Sequence, residues 1–248
     1  MNEKIVDYKG EPNFIAYIDI LGYKNMINDK ENWGIEKVAS IIHDCIKYAN
    51  EKSYHNNALV YTYGPDYYYT INQKVFSDNL FFCTKDAWLA LIYLVDSIQN
   101  TLLRRGILTR GALCYGEIYY SNVFICGSGL VHAYELENEI AIYPRAIIDN
   151  SFINAISVVD LYRSRNEIQQ YLEKNSYVRI DSDGYIFIDY LWVNKNFDTQ
   201  NSLNKIRTII IKGIDTITNL RIQQKYKWLK NYYNKYCMEN EFIDFTIF

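Results

Sequence analysis

The chain has no C-x-x-C pair among its five cysteines, no long apolar run and no excess of charge of one sign. Cysteines 45, 83, 114, 126 and 237 are scattered and odd in number, which predicts reduced thiols in a cytoplasmic protein rather than a disulfide scaffold. The longest apolar stretch, Ala87 to Val95, is far too short to span a bilayer, so no membrane partner is expected. The first residues carry no apolar signal core. A net charge of −3 argues against binding nucleic acid mainly through its phosphates. His43, His55 and His132 lack any zinc-ligand spacing. The Gly127-Ser128-Gly129 run lacks the Gly-Lys-Ser/Thr ending of a phosphate loop. No repeat, low-complexity tract or linker divides the 248 residues, which predicts a single domain.

What is present centres on two aspartates. Residues 13–20 alternate as a strand after Pro12, with Phe14, Ala16, Ile18 and Ile20 on one face and Ile15, Tyr17 and Asp19 on the other. Asp19 therefore ends a hydrophobic strand and runs into a turn at Gly22. Asp78 lies in a polar tip, Ser77-Asp78-Asn79, between the apolar runs of a hairpin over 72–83. Carboxylates beside a buried strand need a cation, and two that meet across a sheet form a hard-cation site. The bland alternative makes each an ordinary turn residue.

Around them the pattern predicts a helix over 34–52, a stronger one over 85–104 stopped at Gly106, two strands over 108–125 with glycines at 111 and 116, a helix over 127–140 and a strand over 145–149. That order predicts an α+β fold with a ferredoxin-like βαββαβ core near 12–150. A helix at 151–174, a hairpin at 177–190 turning at Asp183-Gly184 and helical residues 202–236 would form a C-terminal extension. The apolar stripe of the last segment (Ile206, Ile209, Ile210, Ile214, Ile217) reads as core, with a docking face as the alternative. The tyrosines at 61, 63, 67, 68 and 69 read as packing, or as a surface for stacking on a ring.

The run FIAYIDILGY (14–23) resembles the first metal motif of class III nucleotide cyclases, and KVFSD (74–78) resembles the second. RGALCYG (110–116), GSGLVHAYELE (127–137), PRAIID (144–149) and KYKWL (225–229) are similar to a bacterial subgroup, the pyrimidine cyclases of Pycsar anti-phage systems. The resemblance implies a UTP or CTP cyclase acting as a homodimer with two Mg²⁺ or Mn²⁺ ions, whose cyclic product is sensed by a separate effector. It assigns Asp19, Asp78 and the Ile20 carbonyl to metal, and Lys74 and Phe124 to the base, with UTP favoured. Val131 and Glu135 stand where the family carries Asn and Arg. Arg110 and Arg145 are the substitutes expected on phosphate; surface pairing with Glu117 or Asp149 is the alternative. An inactive nucleotide-binding or dimerising relative, and a purine cyclase, stay open.

Overall fold

A computed structural model describes residues 9–54, 69–159, 164–191 and 199–248. Its strands are β1 (Glu11–Ile20), β2 (Asn72–Phe76), β3 (Asn79–Thr84), β4 (Thr109–Tyr120), β5 (Ile125–Cys126), β6 (Ala146–Ile148), β7 (Val178–Ile180) and β8 (Ile186–Ile188). The helices are α1 (Tyr23–Asn28), α2 (Gly34–Tyr54), α3 (Trp88–Leu103), α4 (Ser128–Glu135), α5 (Asn150–Val159), α6 (Arg165–Lys174), α7 (Thr199–Thr216) and α8 (Leu220–Glu239). The expected turn at 64–66 and Tyr61, Tyr63, Tyr67 and Tyr68 lie outside the described residues. Tyr69 packs, half-buried, against the core.

The sheet order is β2-β3-β1-β4-β6-β8-β7, with β5 on the end of β4. The first four positions, all antiparallel, have the order of a ferredoxin-like βαββαβ unit. The fold is α+β, as the element order predicts. β6 then joins β4 in parallel, and the 177–190 hairpin continues the same sheet. What reads in sequence as an appended hairpin is thus a sheet edge.

In β1 the alternation holds. Phe14, Ala16, Ile18 and Ile20 are buried, while Tyr17 and Asp19 on the other face are only half-covered. The strand begins at Glu11, so Pro12 lies inside it. Its partner β3 ends opposite Phe14, so the missing N–H breaks no ladder there. α3 is buried along its whole length rather than along one stripe. β4 runs unbroken where glycines 111 and 116 suggested two strands. The second glycine serves close approach instead: a Cβ on Gly116 would lie 2.7 Å from the Gly129 Cα of α4. The expected 127–140 helix ends as a π-helical turn at Leu136–Ile140. The expected 151–174 helix is two, α5 and α6, the latter started by a Ser164/Glu167 capping box. In α7, Ile206 and Ile210 are buried, which supports the core reading of that stripe. All five cysteines are free thiols. Among the described residues no helix is long and apolar enough to cross a membrane.

The far edge of the sheet is held to α8 by Arg145. This residue is fully buried, and its guanidinium meets Asp181 and Asp183 of the β7–β8 hairpin. It also lies 5.5–5.8 Å from the ring centroids of Tyr143, Phe187 and Trp228. Trp228 Nε1 donates to Asp181 at 2.6 Å. One turn further on, Tyr232 donates to Asp189 at 2.6 Å, and Asp189 pairs with Arg179 at 2.6 Å.

Removing the cation from such a group leaves uncompensated carboxylates. Arg145→Ala is expected to destabilise the fold by on the order of 3 kcal/mol in urea titrations. Arg145→Lys should recover little of this, since an ammonium reproduces neither the fork nor the stacking. Wild-type stability in both variants would refute the anchoring role.

Candidate active site

The strand end that carries Asp19 is built by three neighbours in register. Asp19 faces Asn79 of β3 on one side and Arg110 of β4 on the other. The Ile20 N–H donates to the Asp78 carbonyl at 2.8 Å, which closes the β2–β3 turn against β1. Facing residues in an antiparallel ladder have Cα atoms about 4.5–5.5 Å apart, so Asn79 lies that close to Asp19, and Asp78, one residue beyond Asn79, stands at the level of Ile20. Asp78 Oδ1 accepts from Asn79 Nδ2 at 3.0 Å. Gly22 turns the chain out of β1 with φ 79°, a left-handed conformation that suits glycine. Two aspartates 59 positions apart in sequence are thus brought by the backbone to one end of the sheet, where the Asp78 charge acts on Asp19.

Arg110 lies between carboxylates. Its Nε donates to Asp19 Oδ2 at 3.2 Å, and its Nη2 lies 2.6 Å from Glu137 Oε1, an ion pair without hydrogen-bond alignment. Glu137 is 3% exposed. It stands in the π-helical turn that follows α4, and such turns recur at functional sites. Burial pushes its pKa up to about 7, against the pull of Arg110 and with help from Asp19. Burial also raises Asp19, opposed by Arg110 and reinforced by Asp78. Lys225 of α8 completes the group. Its pKa is lowered by burial and by Arg110, and held up by Asp19 and Glu137.

Tyr17 lies two residues before Asp19 on the same face. Burial and then the Glu137 and Asp19 charges push its hydroxyl up to about 12. Its ring meets Tyr134 of α4 edge-on at 6.1 Å. Tyr134, Val131 and Glu135 are exposed on that helix.

The other expected residues fall elsewhere. Lys74 Nζ donates to the Asn122 carbonyl at 2.6 Å and lies 5.7 Å from the Tyr120 ring. Phe124 belongs to the same 121–124 turn, 45% exposed, its ring 5.3 Å from Tyr119. These two therefore share a place, on the β4–β5 tip rather than on Asp19. Arg145 is occupied in the buried group described above, where its partners are neither Asp149 nor a surface. Asp149 instead accepts from the Ser151 N–H at 2.8 Å and meets His132 at 3.3 Å. Glu137 and Lys225 carry no role in the sequence reading. The matched motifs contain both, but nothing in one dimension shows that they converge on Arg110.

Among the described residues no three His, Cys, Asp or Glu side chains are grouped to hold a metal ion. The strand end does bring two carboxylates to one place in the fold, those of Asp19 and Asp78. That set suits Mg²⁺, which takes one or two carboxylates and completes its shell with water and substrate phosphate.

No protein-family model and no curated protein matches the chain. Solved structures do. The guanylyl cyclase domain of the RhoGC fusion protein from Blastocladiella emersonii aligns over 73% of this chain and 97% of its own, at 9% identity and a TM-score of 0.42. A bacterial light-regulated adenylyl cyclase aligns over 84% of this chain and 60% of its own, at 14% identity and 0.41. A class III adenylyl cyclase-like ATP-binding protein from Pseudomonas aeruginosa aligns over 66% and 40%, at 10% identity and 0.35.

The raised Glu137 gives a test of the cluster. A carboxyl that holds its proton more tightly when folded contributes stability below about pH 4.5, and that contribution is lost as pH rises to about 7. Wild type should therefore lose up to about 3 kcal/mol across that window relative to Glu137→Gln, at ~1.4 kcal/mol per pKa unit. Thermal melts of both proteins across the window check this. Parallel pH profiles would place Glu137 in an ordinary solvated setting.

Proposed function

We propose that this chain is a nucleotide cyclase that converts a pyrimidine nucleoside triphosphate, UTP before CTP, into its 3′,5′-cyclic monophosphate and pyrophosphate. The observation that supports the reading is the Ile20 N–H to Asp78 carbonyl bond, which brings the strand end carrying Asp19 and the turn carrying Asp78 to one place. The 3′-oxygen attacks the α-phosphorus, the bond to the β-phosphate oxygen breaks, and pyrophosphate leaves with the electron pair.

Asp19, Asp78 and the Ile20 carbonyl would hold two Mg²⁺ or Mn²⁺ ions. Bound there, such ions lower the pKa of the attacking hydroxyl and neutralise the leaving group. The chain's own share is positioning and charge. Arg110 offers a fixed guanidinium beside Asp19, on the face where negative charge develops. Lys225 adds a second cation from α8. The base would rest on Lys74, whose ammonium suits the carbonyl of uracil, and on Phe124, which accepts no hydrogen bond from an exocyclic amine.

In one chain Lys74 and Phe124 gather at the β4–β5 tip and the carboxylates at the end of β1. A homodimer that brings the tip of one copy to the strand end of the other completes the site. The exposed Tyr134, Val131 and Glu135 on α4 supply a surface for that contact. A role in anti-phage signalling follows from the motif resemblance alone.

A second reading rests on the Arg110 contact. A guanidinium already on Asp19, together with Glu135 and Val131 at the family's Arg and Asn positions, suits a protein that binds nucleotide without turning it over. Incubation of purified protein with each of the four ribonucleoside triphosphates and Mn²⁺ decides between them. The expected result is pyrophosphate and one cyclic pyrimidine monophosphate in equal amounts, lowered on the order of 100-fold by Asp19→Ala or Asp78→Asn. Nucleotide binding without product from any of the four sinks the enzyme and leaves the binding module.

A further inference from the structure

Beside the same strand end, α7, α8 and the turn into α1 surround a cavity of about 1020 Å³. Five cationic side chains line it: Arg104, Arg105, Lys205, Lys212 and Lys225. Among the described residues, no aspartate or glutamate does. In a chain of net charge −3, five positive charges without one acid around a single volume mark a local reversal of sign. A cleft of one sign with low-dielectric walls concentrates the opposite ion.

Those walls are apolar. Met26, Trp33, Leu108, Ile209, Ile217 and Tyr226 contribute to them. The cations are placed by regular structure. Lys205 and Lys212 stand seven residues apart on α7, two turns, and so share a helix face. Arg104, at the end of α3, is oriented by a bond from its Nη1 to Ser202 Oγ at 3.3 Å. The volume lies at the upper end of the range for small-molecule sites, roughly 300–1,000 Å³.

We propose that this cavity binds a phosphate-bearing small molecule, its anionic group on Arg104, Arg105, Lys205 and Lys212 and its apolar or aromatic part against Met26, Trp33 and Ile217. Two sources share that chemistry. One is the polyphosphate of a nucleotide held at Asp19, reaching across Leu21 and Gly22, which also line the cavity. The other is a separate phosphorylated molecule that acts on the site through Lys225. Binding in the cavity needs neither metal nor turnover.

The probe is sodium tripolyphosphate, titrated calorimetrically into the full chain in buffer stripped of divalent ions. Lys205 and Lys212 are exposed, so Lys205→Glu/Lys212→Glu should fold as wild type, which circular dichroism checks. The double variant should bind the probe at least ~10-fold more weakly, and added salt should narrow the gap. Asp19→Asn should bind as well as wild type or better. Equal binding by the double variant, no binding by wild type at millimolar probe, or loss of binding in Asp19→Asn would overturn the cavity site. A wild type that makes no cyclic product leaves this titration untouched, so failure of the enzyme and failure of the cavity are told apart. With an active enzyme, a raised KM for the triphosphate in the double variant assigns the cavity to the substrate's own phosphates. An unchanged KM assigns it to a separate molecule.

Discussion

The arrangement depends on one buried cation. Arg145 is fully enclosed, with two aspartates on its guanidinium and three aromatic rings around it. A charge so enclosed is tolerated only when paired on every side that needs it. The pairing fixes three parts of the chain at once: the approach to β6, the β7–β8 hairpin and α8 through Trp228. Lys225 lies three residues before Trp228, on the neighbouring turn of the same helix face. An ion group at the sheet's far edge thus decides where a lysine stands at the end that carries Asp19. The second fastening, Tyr232 on Asp189 beside Arg179, keeps the next turn of α8 from rotating.

This explains why Arg145 misleads a reader of the sequence. It sits in a strand-like motif between Pro144 and an apolar run, and a strand-borne arginine near a nucleotide motif suggests phosphate. Its partners, Asp181 and Asp183, lie more than thirty positions away, in a hairpin whose place beside β6 one dimension does not show. β1 is legible for the opposite reason. Its pattern is local, with period two, and one face must be buried whatever the partners are. The β2–β3 hairpin is legible because its polar tip separates two apolar runs. β4 sits between these cases. Glycine in a strand signals either a break or a close neighbour, and only the position of Gly129 opposite Gly116 selects the second. Glu137 escapes notice because its partner Arg110 lies on another element. It shares the buried face of Gly129, Ala133 and Leu136 at ordinary helical spacing, which turns it inward onto Arg110.

The strand-end cluster holds three acids, Asp19, Asp78 and Glu137, against two bases, Arg110 and Lys225. Burial pushes Glu137 up to about 7, raises Asp19 and lowers Lys225. Each shift favours the neutral form, as expected where solvent is scarce and the charges do not cancel by pairing alone. A divalent ion at Asp19 would supply the missing positive charge.

The cluster and the acid-free cavity share Lys225, so they are coupled in both directions. An anion in the cavity raises the proton affinity of Lys225, and a charged Lys225 steadies the ionised forms of Asp19 and Glu137. By the same electrostatics, a cation at Asp19 would lower the proton affinity of Lys225. The coupling weakens if Trp228 leaves its place on Asp181, because Lys225 then loses its fixed position between the two. The buried arginine at the sheet edge and Lys225 are therefore linked through α8, with Lys225 standing between the strand-end cluster and the cavity.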